Sequence, residues 1–100
     1  MRVTILASAL LLAGASAAVA GPISNACLDS PRAKGDRALC NCIQEAADRT
    51  LHRSEQRRAA KFFKDPDEAQ KVRMSKSDRD NEFWARYRAF GDMAEAFCAR

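Results

Sequence analysis

The chain holds one histidine, one tryptophan and one tyrosine. With His52 alone, neither a histidine-based triad nor a multi-histidine zinc site can be assembled. There is no C-x-x-C or C-x-x-C-H motif, which removes the main signature of thioredoxin-like and haem-attachment chemistry. A glycine-rich phosphate loop and a nucleophile elbow are also missing. No stretch alternates polar and apolar with period two, so no strand is expected. After residue 20 there is no second long hydrophobic run, and hence no candidate membrane span. The charge imbalance is small, 17 basic against 13 acidic side chains, well short of a nucleic-acid-binding composition. These absences argue against an enzyme and against a nucleic-acid partner, and they point to no metal or other cofactor.

What is present begins with an export signal. Arg2 supplies a small positive region, Val3 to Leu12 is mostly apolar, and Ala18-Val19-Ala20 is an A-x-A cleavage site followed by Gly21-Pro22. Residues 1–20 therefore read as a signal peptide and residues 21–100 as a single helical domain. Loss of Arg2 takes the net charge from +4 to +3. All four cysteines, Cys27, Cys40, Cys42 and Cys98, fall in the mature part. An even number in a short exported chain predicts two disulfides. The expected location is the periplasm or the external medium.

Helical signals fill the mature chain. Residues 22–36 are the least regular, with Pro22 able to start a short helix carrying Cys27 and turns at Asp29-Ser30-Pro31 and Lys34-Gly35-Asp36. A helix is predicted from Asp36 as N-cap to about His52, with Leu39, Ile43, Ala46, Ala47, Thr50 and Leu51 on one stripe. Ser54 is the next N-cap candidate, for a helix over about 55–64. Asp65-Pro66-Asp67-Glu68 restarts the chain with a cap, a proline at the first helical position and a capping box. Ser77 and Asp80 open the last helix, whose stripe is Phe83, Tyr87, Phe90, Ala94 and Phe97. Gly91 within that helix costs about 1 kcal/mol relative to alanine, which predicts a close helix contact there. The expected fold is all-α: a small, disulfide-stapled bundle of three to four helices, the last packed on the Asp36–His52 helix.

Three runs also carry a resemblance. Leu39-Cys40-x-Cys42-Ile43-Gln44, then Ser54-x-Gln56-Arg57-Arg58-Ala59-Ala60-x-Phe62-Phe63-x-Asp65-Pro66, then Phe83-Trp84-x-Arg86-Tyr87-x-Ala89-Phe90-Gly91, together resemble a family of small exported proteins of the Rhodobacter group. The resemblance covers nearly all of the mature chain in order and spacing. Many members carry the label arginine transporter, which the resemblance implies for this chain. A transporter needs a membrane-spanning path, and hydropathy supplies none after residue 20.

The chemistry-bearing groups admit bland readings beside sharper ones. Cys40-Asn41-Cys42 is a C-x-C pair of the kind used for thiol-redox or copper(I) handling, with Met74 and Met93 as further soft ligands; structural pairing with Cys27 and Cys98 is the simpler expectation. Asp78, Asp80 and Glu82 resemble the start of a calcium loop but lack its glycine and closing glutamate, and fit a helix N-terminus instead. Arg57, Lys61 and Lys64 fall within about 80° on a helix, with Arg53 just before and Arg58 at the edge. That basic face is either an ordinary solvated surface or a docking surface for an acidic protein or an anionic surface such as lipid headgroups. The favoured function is a small exported, non-catalytic interaction or binding module. A chaperone-like protein or membrane-surface binder is a variant of it, and a thiol-redox or copper-handling protein is the alternative of another class.

Of the three cysteine pairings, Cys40–Cys42 would close a small ring inside a helix. Cys40 lies nearer the centre of the apolar stripe than Cys42, so the expected pairs are Cys40–Cys98 and Cys27–Cys42. The export reading makes one direct prediction: the exported protein begins at Gly21 by N-terminal mass analysis and stays in the soluble fraction. Intact protein in a carbonate-washed membrane pellet would refute it.

Overall fold

In a computed structural model, residues 21–99 are described; the signal-peptide reading of residues 1–20 lies outside them. Among the described residues the chain is all-helical: α1 (Pro22–Asp29), α2 (Arg37–Thr50), α3 (Arg53–Lys64), α4 (Pro66–Arg73) and α5 (Asp78–Cys98). The N-cap residues Asp36, Asp65 and Ser77 are those expected, but the expected Asp65–Glu68 capping box does not form, since the Glu68 carboxylate accepts from Lys71 Nζ at 3.3 Å instead. Asp36 accepts from the Leu39 N–H at 3.0 Å, Asp65 from Asp67 at 3.2 Å, and Ser77 Oγ from Asp80 at 3.1 Å. Pro22 and Pro66 occupy first-turn positions, where a missing N–H costs nothing. Lys34 and Gly35 take left-handed backbone, at φ +50° and +75°, and turn the chain into α2.

One cap differs from expectation. Helix α3 starts at Arg53 with His52 as its N-cap residue, not at Ser54. Three residues beyond His52 stands Glu55, whose Oε1 accepts the His52 backbone N–H at 2.9 Å. Three residues beyond Ser54 stands Arg57, which has no acceptor to offer. The reach-back carboxylate decides the start.

Helix α1 packs on α2 and α3, α5 packs on α2, and α4 bridges α3 and α5. The main core gathers Ile23 from α1, Ala46, Ala47 and Leu51 from and just after α2, Ala59 and Phe62 from α3, Val72 from α4, and Phe83 and Phe90 from α5. Around Phe62 the aromatics interlock. Its ring meets Tyr87 edge-on at 5.2 Å and Phe83 at 6.0 Å, the offset and T-shaped geometries that aromatic quadrupoles prefer. A second, smaller cluster forms around Cys27, Ala33 and Cys40, with Ile43 and Phe63 touching both clusters.

The interior also holds polar groups. Gln44 is fully buried and Gln56 nearly so. Gln44 Oε1 accepts the Ser24 N–H of α1 at 2.9 Å. Gln44 Nε2 donates to Gln56 Oε1 at 2.7 Å and to Asp48 Oδ1 at 2.8 Å. Gln56 Nε2 reaches the same Asp48 oxygen at 3.0 Å and the Leu51 carbonyl at 3.3 Å. Among the described residues no buried side-chain nitrogen or oxygen lacks a partner, which is what makes such burial tolerable. Gly21 is buried against this network, and a Cβ there would overlap the Gln44 amide.

The disulfides are Cys27–Cys40 and Cys42–Cys98, which corrects the expected Cys27–Cys42 and Cys40–Cys98. The reason lies in Gln44. At about 100° per residue, the buried glutamine widens the buried face of α2 toward Cys40, and α1 occupies that side. Helix α5 arrives on the other flank, where Cys42 stands. Two further expectations fail in α5. A Cβ added at Gly91 would meet nothing within 4 Å, so no close helix crossing explains the glycine. Phe97 is 74% exposed; the last turn of α5 is anchored through Cys98, and among the described residues no helix faces its Phe97 side.

Loop length separates the two bonds. The Cys42–Cys98 link spans 56 residues and the Cys27–Cys40 link 13. On the loop-entropy model, replacing both cysteines of the long link by serine lowers unfolding free energy by about 4 kcal/mol, and of the short link by about 3 kcal/mol. Urea unfolding of the two double variants checks the order, and a larger loss from the short link would contradict it.

Candidate functional site

Helix α3 divides its residues between two environments. Ala59 and Phe62 are buried and Phe63 is half-buried, whereas Arg53, Arg57, Lys61 and Lys64 are exposed. The spacing of these four puts them on one ridge, because positions 53, 57, 61 and 64 differ by near-integral helical turns. Among the described residues none of the four has an ion-pair partner. Lys61 and Lys64 also lie in the last turn, where positive charge is favourable to the helix dipole.

Arg58 does not belong to this ridge, contrary to the expectation that it marks the ridge's edge. Its Nη2 lies 2.6 Å from Asp80 Oδ1 of α5, and its guanidinium sits 4.7 Å from the centre of the Phe83 ring. One turn earlier on α3, Glu55 Oε2 accepts from Arg86 Nε at 2.7 Å. The pairs Glu55–Arg86 and Arg58–Asp80 tie α3 to the first half of α5, where Phe62 also meets Phe83 and Tyr87. Glu55, Arg58 and Arg86, with His52, Arg79 and Glu82, line a small polar cleft of about 260 Å³.

The charges of these groups respond accordingly. For Glu55, burial pushes the pKa up, but the Arg86 and His52 hydrogen bonds and the Arg86 charge outweigh it and leave the carboxyl below its ordinary range. Asp80 is lowered by hydrogen bonds from Ser75 and Arg58. Arg86 is raised by its bond to Glu55. The phenol of Tyr87 is raised by burial.

The remaining sequence candidates are dispersed. Cys40 and Cys42 are committed to different disulfides, so the C-x-C pair presents no thiolates together. Met74 is 76% exposed, and Met93 packs in the core. Asp80 is engaged with Arg58, apart from any ion-binding role. Among the described residues no group of three or more His, Cys, Asp and Glu side chains is arranged to hold a metal. His52 is exposed at the start of α3.

A feature that sequence reading missed is an apolar crevice of about 630 Å³. It opens where the α1–α2 loop stands off α3 and α4, along the seam between the two hydrophobic clusters. Leu39 and Ile43 of α2, Phe62 and Phe63 of α3, and Tyr87 of α5 form much of its wall. Its only sequence signal was an excess of apolar residues on α3, with Phe62 and Phe63 adjacent and too wide for one stripe.

Comparison with known proteins found no matching family model, curated protein or solved structure. Among the described residues no helix is long and apolar enough to cross a membrane. Two disulfides fit an oxidising, extracytoplasmic setting.

The Glu55–Arg86 pair carries a pH dependence of known sign. A carboxyl whose folded pKa is depressed adds stability above its unfolded value and loses it as pH falls through the folded one. Wild type therefore exceeds Glu55→Gln in Tm near neutrality, and the gap narrows on acidification from about pH 6 to about pH 3. Thermal melts across that window test it; a gap that is constant with pH would show that the pair contributes nothing electrostatic.

Proposed function

We propose that this chain is a small exported binding module, without catalysis, that docks an acidic protein through the α3 ridge of Arg53, Arg57, Lys61 and Lys64. The observation that carries the reading is the ridge itself: four exposed cations in line, on a helix whose neighbouring cation, Arg58, is drawn off into an internal pair. The two α3–α5 ion pairs and the buried Phe62 hold that helix rigidly. A docking surface needs such pre-organisation, because ordering it on binding would subtract from affinity. The periplasm is the location the export signal suggests.

A protein partner suits the ridge better than a bilayer. Membrane-surface helices place bulky apolar side chains beside their cations, but Phe62 here is turned into the core and Phe63 is half-covered. The exposed Met74 and Phe97 lie on other elements. The copper and thiol-redox alternative is weakened by the separate engagement of Cys40 and Cys42.

The test is a triple reversal, Arg57→Glu/Lys61→Glu/Lys64→Glu. These side chains point away from the core, so the fold should persist, with a loss of about 1–2 kcal/mol as Lys61 and Lys64 reverse sign in the last turn of α3. Proteins captured from an extracytoplasmic extract by immobilised wild type should be absent with the variant and should elute as salt shortens the Debye length. Capture unaffected by both salt and reversal would leave the ridge as a plain solvated face. Salt-sensitive binding to phosphatidylglycerol vesicles instead would assign the ridge to a membrane surface.

A further inference from the structure

The crevice between the α1–α2 loop and helices α2 to α5 is separate from the basic ridge and differs from it in chemistry. Its volume of about 630 Å³ falls in the range of small-molecule sites, roughly 300–1,000 Å³. It is walled mainly by carbon: Leu39, Ile43, Phe62, Phe63, Pro66 and Ala69. Polar groups are few, and the charge is of one sign. Arg32 is the sole charged residue among its lining residues, none of which is acidic, and Ser30 and Gln70 are also polar. Arg32 is exposed and sits in the loop between α1 and α2, where its backbone N–H bonds to Ser30 Oγ at 3.4 Å.

The walls are tied in place. The Cys27–Cys40 disulfide closes the loop end, with Cys27 itself in the lining. At the opposite side Tyr87 is fixed by ring contacts to Phe62, Phe83, Trp84 and Phe90. No hydrogen bond engages its hydroxyl among the described residues, which leaves it a donor to a bound molecule. An apolar space with one cation and no anion selects against neutral polar solutes and against cations. It matches a molecule with a hydrocarbon chain and a negative head.

We propose that the crevice binds a long-chain carboxylate, its chain lying along Leu39, Ile43, Phe62 and Phe63 and its head against Arg32. The hydrocarbon gains by leaving water in proportion to area. The head gains a charge-assisted contact at a site that stays open to solvent, so no ion has to be buried. The inference stands independently of the ridge.

Trp84 is the sole tryptophan of the chain and its ring lies 5.1 Å from that of Tyr87, which makes it a reporter of the crevice wall. Full-length mature protein is titrated, below micelle-forming concentrations, with laurate and with dodecyltrimethylammonium, which share a chain length and differ in head charge. Laurate should give a saturable Trp84 change with one site per chain, and the cation should bind at least roughly tenfold more weakly. Arg32→Glu should lower laurate affinity by roughly tenfold and improve binding of the cation. Ala69→Phe and, separately, Gln70→Phe should block the space; Gln70 is exposed at the rim, so its replacement keeps the helical circular dichroism intact.

The triple ridge reversal should bind laurate as wild type does, while losing the captured proteins. Absence of saturable laurate binding, equal binding of the two head groups, or unimpaired binding by both folded filled variants would each overturn the proposal. Loss of laurate binding in the ridge variant would do so too, by placing the amphiphile on α3's outer face.

Discussion

The side chain of Gln44 is the interaction on which the rest of the arrangement depends. It is fully buried, and an amide in that position survives only if both its ends are satisfied. Its oxygen takes the Ser24 N–H of α1, and its nitrogen serves Gln56 of α3 and Asp48 on its own helix. Helix α1 has no side-chain cap of its own. Gln44 supplies that function from 20 residues away, satisfying one of the N–H groups a helix start leaves open. One side chain thereby fixes how α1 and α3 both sit on α2. An apolar residue there would strand the Ser24 N–H and the Gln56 Oε1 together, a loss of the order of 1–3 kcal/mol for each unsatisfied group.

With α1 and α3 set by that network, α5 has one flank of α2 left to pack on. The two disulfides follow from this division. Each cysteine of the C-x-C pair faces a different neighbour because consecutive odd or even helix positions diverge by about 200°, and each neighbour brings one cysteine. A chain of this size buries little apolar surface per residue, so ties from α2 to both its partners add materially to a marginal balance. The α3–α5 ion pairs are weaker, being partly exposed. They turn the Glu55 and Arg58 face of α3 toward α5, which leaves the basic ridge on its outer side.

Much of this was legible from local signals. The Asp36, Asp65 and Ser77 caps, the prolines at helix starts and the Phe83–Phe90 stripe depend on short-range stereochemistry, and the structure has them as read. The misreadings concern residues whose environment is set from far along the chain. Gln44 and Gln56 look like solvent-facing polar positions until α1 covers them, and omitting Gln44 from the buried face misdirected the disulfide pairing. Arg58 looked like part of a cationic face until Asp80, 22 residues on, took it up. Phe97 obeys the helical period of its stripe, yet a period says nothing about where the facing helix stops. The crevice was invisible for the same reason, since it is a gap between elements and no element encodes it alone.

Gly21 stands at the start of the folded body. As N-cap of α1 it takes an extended conformation, with φ −129° and ψ 169°, which any residue can adopt; conformational freedom is not why glycine stands here. The reason is room, because a Cβ at this position would meet the Gln44 amide at both oxygen and nitrogen. Gln44 cannot swing aside without giving up Ser24, Gln56 or Asp48. If Ala20 is the last residue removed on export, the residue that follows the cleavage point answers to the folded domain and not to the peptidase, whose A-x-A requirement ends one position earlier. On that reading the small residues on the two sides of the bond would be small for unrelated reasons: Ala18 and Ala20 for the peptidase, and Gly21 to let a helix close over a buried glutamine.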